Sequence, residues 1–234
     1  MTEQLPHLVI LIRSELQRHA DPNKAVEMQR YMKTTQPFYG VQSQLRKELF
    51  RQARKAATPG NRADYEATVR ELWSGEYREE MYMALEVAEG IKRFHTEESW
   101  PLYEEMVATA THWDTLDWLS SHIIGPLVLH NRELEKYLVA WSDSPNLWVR
   151  RASLLSHLKH KTETNRALLA AAILKLAGEK EFFIRKAIGW VLRDFSYTDP
   201  AWVESFVRDH ENQLSGLSCR EALKHLQRVS PRST

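Results

Sequence analysis

Three short blocks repeat along the second half of the chain: Val149-Arg150-Arg151-Ala152, Ile184-Arg185-Lys186-Ala187 and Cys219-Arg220-Glu221-Ala222. Each consists of an apolar residue, an arginine, a polar residue and an alanine, and the arginines at 150, 185 and 220 are 35 residues apart. This period is typical of two-helix repeats in α-solenoids, where each helix pair buries its apolar face against the next. The repeat predicts an all-α, curved α-solenoid with a concave binding face.

Helical signals also run through the rest of the chain. Two Asp-Pro pairs, Asp21-Pro22 and Asp199-Pro200, place a capping carboxylate before a proline and predict helix starts at 22 and 200. The sequence has no sustained alternation of period two, which would indicate strands. We expect one helical domain over residues 1–234. One face of the predicted first helix carries Leu5, Leu8, Val9, Ile12 and Leu16.

The composition excludes several classes of protein. Lys and Arg (32) nearly balance Asp and Glu (31), so any nucleic-acid binding must come from charges clustered on one face. One cysteine permits no internal disulfide, and the eight glycines are too far apart for a phosphate loop or a nucleophile elbow. The apolar run of residues 8–12, like every other apolar run in the sequence, is too short for a membrane span. We expect a cytoplasmic protein that does not contact membranes.

Three tryptophans share helix faces with charged residues. Indole faces attract cations, arginines bind phosphates, and a carboxylate stabilises developing positive charge. Such a surface suits a cationic group attached to a polyanion. The alternative is that the tryptophans are core residues and that the carboxylate is a cap or an ion-pair partner. The spacings place Trp113 with Asp117, Trp148 with Arg151, and Trp190 with Lys186 and Arg193.

Other groups of residues receive weaker interpretations. His157 and His160 could share a helix face as metal ligands, but we interpret them as a solvated pair because no further ligand is marked nearby. Glu79-Glu80 is interpreted as an exposed helix face, and Cys219 as a small buried residue in the apolar position of its block. A basic run with the spacing of one helix side could face phosphate: Arg46, Lys47, Arg51, Arg54 and Lys55.

Sequence blocks between residues 30 and 225 resemble the AlkD family of bacterial DNA alkylation-repair glycosylases, and they occur in the family's order. The most specific block is Lys186-Ala187-Ile188-Gly189-Trp190-Val191-Leu192-Arg193, which Glu181-Phe182-Phe183-Ile184-Arg185 precedes. The other blocks are Arg30-Tyr31-Met32-Lys33, Gly40-Val41-Gln42, Trp113-Asp114-Thr115-Leu116-Asp117, Asn146-Leu147-Trp148-Val149-Arg150-Arg151-Ala152 and Ser218-Cys219-Arg220-Glu221-Ala222-Leu223-Lys224-His225.

The resemblance implies a HEAT-like solenoid that binds duplex DNA on its concave face. It implies hydrolysis of the N-glycosidic bond of positively charged purines alkylated at N3 of adenine or N7 of guanine. No metal or organic cofactor is implied, and the lesion stays in the base stack. Asp117 would be the catalytic carboxylate, with Trp113 and Trp190 as aromatic walls. The implied DNA-binding residues are Arg151 and Arg193 at the backbone, Tyr31 beside the active site, Phe182 and Phe183 in an aromatic cluster, Lys33 and Lys186.

General chemistry agrees with this assignment. An alkylated purine is already a cation and a good leaving group, so catalysis needs mainly stabilisation of the oxocarbenium character of the sugar. A carboxylate such as Asp117 can provide it and can orient a water molecule. Neutral lesions should therefore be poor substrates.

Two positions depart from the family's pattern. His112 stands where many relatives have a second tryptophan, and Gln44 stands where proline is common. They bear on local loop shape and lesion preference. The alternative function is a non-catalytic solenoid that binds DNA or a protein partner, in which Asp117 is only structural. In both cases we expect a monomer, because solenoids with polar end caps need no partner.

Overall fold

All regular elements that the structure describes are helices. The structure is a computed structural model that describes residues 6–226, and within that range it contains no strand. The predicted all-α class is confirmed. The helices are α1 (His7–Arg18), α2 (Pro22–Met32), α3 (Ser43–Ala56), α4 (Arg62–Trp73), α5 (Arg78–Gly90), α6 (Trp100–Thr109), α7 (Trp113–Trp118), α8 (Gly125–His130), α9 (Glu135–Trp141), α10 (Leu147–Leu155), α11 (Arg166–Leu176), α12 (Phe182–Ser196), α13 (Pro200–Asp209) and α14 (Gly216–Leu223).

The helices divide into two compact units, Met1–Met106 and Val107–Thr234. In the first unit, α1 packs against α3, and α4 packs against α5. The single domain over residues 1–234 stays a prediction. Among residues 6–226, no helix has both the length and the apolar character that a membrane crossing requires. The predicted apolar face of α1 is buried at Leu8, Val9, Ile12 and Leu16, whereas Leu5 lies outside the described residues.

Both Asp-Pro pairs begin helices, as predicted. α2 begins at Pro22, and the side chain of Asp21 accepts from the backbone N–H groups two and three residues further on, at 3.1 and 3.2 Å. α13 begins at Pro200, and the side chain of Asp199 accepts from the third N–H group further on, at 3.0 Å. These bonds satisfy donors that the first turn of a helix leaves unpaired.

In the second unit, the repeated blocks lie on α10, α12 and α14. α12 packs against both of the other helices. Helices that are 35 residues apart in the sequence are therefore neighbours in the structure. Cys219, predicted to be buried, packs against the same core but is only partly buried. The apolar and alanine positions that are buried are Val149, Ala152, Ile184, Ala187 and Ala222.

Glu79 and Glu80 are buried, and the prediction of an exposed helix face is wrong. The carboxylate of Glu79 accepts hydrogen bonds from the three consecutive N–H groups of residues 39–41, at 2.9 to 3.0 Å. The carboxylate of Glu80 accepts from Nε of Arg13 at 2.6 Å. Partners distant in sequence therefore make burial of both charges acceptable.

His157 and His160 are also buried, so the prediction of a solvated pair is wrong. Each is 3% exposed, and their ring centroids are 5.9 Å apart. Burial lowers the pKa of both imidazoles, that of His157 to about 3, which keeps both rings neutral. Nε2 of His160 lies 2.9 Å from the carbonyl oxygen of Gly125. Across the described residues, no three His, Cys, Asp or Glu side chains are grouped for metal binding.

Candidate functional site

Asp117 and Arg151 form a buried ion pair between α7 and α10. Nε and Nη2 of Arg151 donate to Oδ1 and Oδ2 of Asp117, both at 2.8 Å. Nη1 of Arg151 donates to the carbonyl oxygen of Phe183 on α12. The Arg151 side chain is 5% exposed and that of Asp117 is 13% exposed. One guanidinium thus joins three helices, and the carboxylate that it holds keeps some contact with solvent.

The helix that carries Asp117 changes its winding shortly after that residue. α7 continues through a π-helical turn, Leu119–Ile124, directly into α8, so residues 113–130 form one unbroken helix. Oγ of Ser121 in this turn donates to the carbonyl oxygen of Asp117 at 2.6 Å. Turns of this kind are rare and often lie at functional sites. The Ser121 hydroxyl holds the backbone at Asp117 by the bond to the fourth preceding carbonyl that serines also make in ordinary helices.

Burial raises the pKa of the Asp117 carboxyl above its ordinary value, and the hydrogen bonds and charge of Arg151 oppose that increase. Asp114, on the same helix, adds to the increase by charge repulsion. Each carboxylate oxygen accepts one bond from Arg151 and has a second acceptor position. The ionised carboxylate can therefore still bind water or stabilise a cation.

An aromatic cluster lies beside the ion pair. The rings of Trp148 and Phe183 pack with their centroids 5.0 Å apart, and Phe182 packs edge-on against Phe183 at 5.5 Å. The guanidinium carbon of Arg151 lies 5.7 Å from the centroid of the Phe183 ring. Phe182 is 56% exposed, which is high for such an apolar side chain. The cluster therefore extends from the buried pair to the surface of the second unit.

The predicted aromatic walls, Trp113 and Trp190, are both partly buried. Trp113 precedes Asp117 by one turn of α7, so both lie on one helix face. Trp190 follows Phe183 by two turns of α12, about 10 Å along the axis, and packs partly against the core of the second unit. Each indole therefore has a packing role in addition to any contact with a ligand.

Lys186 and Arg193 lie on α12 and share one partner, Glu221 on α14. Nζ of Lys186 is 3.1 Å from Oε1 of Glu221, and Nη1 of Arg193 donates to Oε2. Gly189 lies between the two cations in the sequence, and a Cβ there would lie 2.5 Å from the Cβ of Glu221. The glycine therefore allows the close approach that brings this carboxylate to both cations.

The predicted site residues belong to both units. Asp117, Arg151 and Phe183 are in direct contact in the second unit. Tyr31 and Lys33 lie in the first unit, at the end of α2. Tyr31 is 73% exposed, and Lys33 is an exposed residue with a left-handed backbone (φ 51°).

The two departures from the family's pattern lie at helix starts. His112 is the N-cap of α7, and its Nδ1 lies 2.9 Å from Oγ1 of Thr111. Gln44 is exposed in the first turn of α3.

Arg151 was predicted to contact the DNA backbone, but in the structure its hydrogen-bond partners lie within the protein. Its side chain is buried, and three of its nitrogens donate within the protein. Sequence reasoning also missed Ser121 and Glu221. A signal for Glu221 was present, because Asp117, Arg151, Lys186 and Glu221 follow one another at intervals of 34, 35 and 35 residues. The last three occupy the polar position of the repeated block.

The fold and these side chains define a helical-repeat protein with a charged, aromatic-lined site. The sequence profile of the DNA alkylation repair enzyme family matches residues 12–226. The chain therefore belongs to this family, whose role is the repair of alkylated DNA. No curated protein matches the chain.

The solved structures that match include one that is similar over nearly the whole chain. It is a predicted DNA alkylation repair enzyme from Enterococcus faecalis, 32% identical, with a TM-score of 0.82. The similarity covers 90% of this chain and 98% of that one.

Proposed function

We propose that the protein is a DNA glycosylase that hydrolyses the N-glycosidic bond of positively charged N3- or N7-alkylated purines in duplex DNA. The observation that carries the proposal is the largely buried Asp117 carboxylate, which Arg151 holds through both oxygens and whose partner Arg151 lies against the Phe183 ring. Membership of the DNA alkylation repair enzyme family supports it. The lesion is proposed to remain in the base stack, as the resemblance to AlkD implies.

In this reaction the bond between C1′ of the deoxyribose and the purine nitrogen breaks. Its electron pair goes to the purine, which leaves as a neutral free base, and the positive charge moves onto the sugar. The Asp117 carboxylate stabilises that charge and orients a water molecule. The water oxygen bonds to C1′ and its proton passes to solvent, which leaves a hydroxyl group on the abasic sugar.

Arg151 acts in this proposal as a positioning residue for Asp117. A guanidinium that donates to both carboxylate oxygens fixes their orientation as well as their charge. Nη1 of Arg151 is bonded to Phe183, so the pair is also fixed relative to α12. We therefore assign the phosphate contacts to exposed or partly exposed cations, namely Lys33, Lys186 and Arg193.

Aromatic side chains bind the damaged nucleotide in this proposal. Trp113, one turn from Asp117, and Trp190 present ring faces that attract a cationic sugar or base. Phe182, Phe183 and Tyr31 supply further apolar contact. No metal or organic cofactor takes part, the protein acts as a monomer, and its place of action is the bacterial nucleoid in the cytoplasm.

The proposal is tested by release of free base from duplex DNA under single-turnover conditions. We expect release from N7-methylguanine DNA and at least a hundredfold slower release from DNA with the neutral base hypoxanthine. Asp117→Asn should abolish most of the release, whereas Asp209→Asn, the same change at an exposed position of α13, should not. The thermal unfolding of both variants is measured as a control for folding, because loss of one partner of a buried ion pair costs about 3–5 kcal/mol of stability.

The second candidate is a non-catalytic helical-repeat module that binds DNA or a protein partner. The observation that favours it is the ion pair itself, because a buried Asp117–Arg151 pair could serve only to join α7 and α10. Binding of duplex DNA without base release by the folded protein would support this function and contradict the glycosylase.

A further inference from the structure

We propose that Glu221 occupies, in the free protein, the position that a DNA phosphate takes between Lys186 and Arg193. The inference rests on the proposed function, because it concerns how the same surface binds DNA. Oε1 of Glu221 lies 3.1 Å from Nζ of Lys186, and Oε2 accepts from Nη1 of Arg193. One internal anion therefore bridges two cations on α12.

The bridge is built into the packing of α12 against α14. Lys186 and Arg193 are two helical turns apart, about 10 Å along the axis, and Gly189 lies between them. A Cβ at Gly189 would lie 2.5 Å from the Cβ of Glu221 and 2.9 Å from the carbonyl oxygen of Ser218. A glycine lowers the stability of a helix interior. Here it permits the contact that places one carboxylate between two cations.

The two cations keep donors for a second anion. An ammonium group has three N–H donors and a guanidinium has five, and Glu221 uses one oxygen for each cation. The side chains of Lys186 and Arg193 are 38% and 27% exposed, whereas that of Glu221 is 15% exposed. The cations are therefore more open to solvent than the anion. A phosphodiester resembles the carboxylate, since both carry one charge shared by two oxygens.

Glu221 is expected to weaken the binding of any duplex, damaged or not. Burial raises the pKa of Glu221, but the hydrogen bond and charge of Lys186 and the charge of Arg193 outweigh it and lower the pKa. Glu221 is therefore ionised at neutral pH. A cation neutralised from within contributes less to DNA affinity. Ion pairs of partly exposed side chains contribute little to stability, so loss of the bridge has a small structural effect. Glu221 thus limits binding to undamaged DNA and leaves discrimination to the contacts around Asp117.

The test is the affinity of the full chain for a fluorescein-labelled, undamaged duplex, measured by anisotropy over a series of salt concentrations. We expect Glu221→Gln to bind about fivefold more tightly. The slope of log Kd against log salt should steepen by up to about 0.9 for each released cation. Glu204→Gln makes the same change of net charge at an exposed position of α13 and should alter Kd by less than about twofold.

A double-mutant comparison separates a local effect from a general effect of charge. In a Lys186→Gln/Arg193→Gln background, Glu221→Gln should no longer tighten binding, because no cations remain to be released. Equal tightening in that background would overturn the proposal, and so would unchanged or weaker binding by the folded single variant.

A shorter carboxylate covers the case in which Glu221→Gln does not fold. Glu221→Asp keeps the charge but is one methylene too short to bridge both cations, and tighter binding is again expected; unchanged binding would overturn the proposal. If the unaltered protein binds no duplex DNA at any salt concentration, the proposed function itself fails. That result differs from one in which the unaltered protein binds DNA but the Glu221 variants bind it equally well, which overturns only the inference on Glu221.

Discussion

Glu79 in the first unit and Asp117 in the second are both carboxylates removed from bulk water, but their partners differ in kind. Glu79 is 0% exposed and accepts from three backbone N–H groups of residues 39–41. Asp117 accepts from one guanidinium, that of Arg151, and its side chain is 13% exposed. Burial of a carboxylate therefore does not mark a functional site by itself. The two carboxylates differ in the kind of hydrogen-bond donor and in the solvent exposure that remains.

The two environments also have different consequences for the charge. Burial raises the pKa of both carboxyls; backbone N–H groups oppose the increase at Glu79, and the Arg151 side chain opposes it at Asp117. The backbone donors at Glu79 attach a loop to a helix, and their hydrogen bonds serve only that structural purpose. A side-chain donor from a neighbouring repeat holds a carboxylate beside aromatic rings, where a cation can approach it.

The largest effect on stability is expected from Gly40→Ala, which breaks the loop that holds Glu79. Gly40 has φ 87°, and a Cβ there would lie 2.1 Å from the carbonyl oxygen of Asp21. Because the clash involves backbone, we expect a loss of about 3 kcal/mol or more. Urea unfolding measures it. A loss below about 1 kcal/mol would show that this loop can move without cost.

Glu79→Gln should have the next largest effect. The amide keeps one carbonyl acceptor but turns an NH₂ group toward backbone donors, so at least one charge-assisted bond is lost. We expect a loss of about 2–3 kcal/mol in the free energy of unfolding. The matched control is Glu76→Gln, an exposed position in the same unit. Equal stability of the two variants would contradict the structural role of Glu79.

Arg151→Lys should affect catalysis more than stability. A lysine keeps the charge but cannot donate to both oxygens of Asp117 and to Phe183 in the same geometry. We expect single-turnover base release to slow by about tenfold. Folded fraction is followed by circular dichroism. Base release at the unaltered rate would show that orientation of the Asp117 carboxylate does not matter.

The smallest effect concerns a third buried group, His157, which burial keeps neutral. Its pKa is about 3 in the folded protein against an ordinary value of 6.5, so the unfolded chain takes up the proton first. Stability is therefore complete above pH 6.5 and is lost as the pH falls toward 3. From pH 7 to 5.5 we expect this residue to account for a loss of about 1 kcal/mol.

His157→Leu should remove that part of the acid sensitivity. Neither ring nitrogen of His157 has a hydrogen-bond partner among the described residues, so leucine loses no such bond. Unfolding midpoints of both proteins at pH 7 and 5.5 give the comparison. An identical pH dependence would mean that His157 does not titrate between the folded and unfolded states.

The fold could be predicted from the sequence because its signals are local. The buried face of α1 and the caps at Asp21 and Asp199 depend on neighbours within one or two helical turns, and the 35-residue period repeats a block of four consecutive residues. The burial of Glu79 could not be predicted, because its partners are about 40 residues away in a loop without a charge signal.

The candidate site was predictable in part. Asp117, Arg151, Lys186 and Arg193 were singled out by spacing and resemblance, but spacing did not reveal which charges pair. In the sequence, Arg151 is predicted to bind phosphate. Only the packing of α7, α10 and α12 shows that its N–H donors point into the protein. The same holds for Glu221, whose contacts depend on the close approach at Gly189.

The most direct test of the central claim compares Asp117→Asn with Glu79→Gln in single-turnover release of N7-methylguanine, at a temperature where both variants are folded. We predict that Asp117→Asn slows release by about a hundredfold or more, whereas Glu79→Gln stays within about twofold of the unaltered protein. Release by folded Asp117→Asn at a rate close to that of the unaltered protein would contradict the assignment of Asp117 as the catalytic carboxylate.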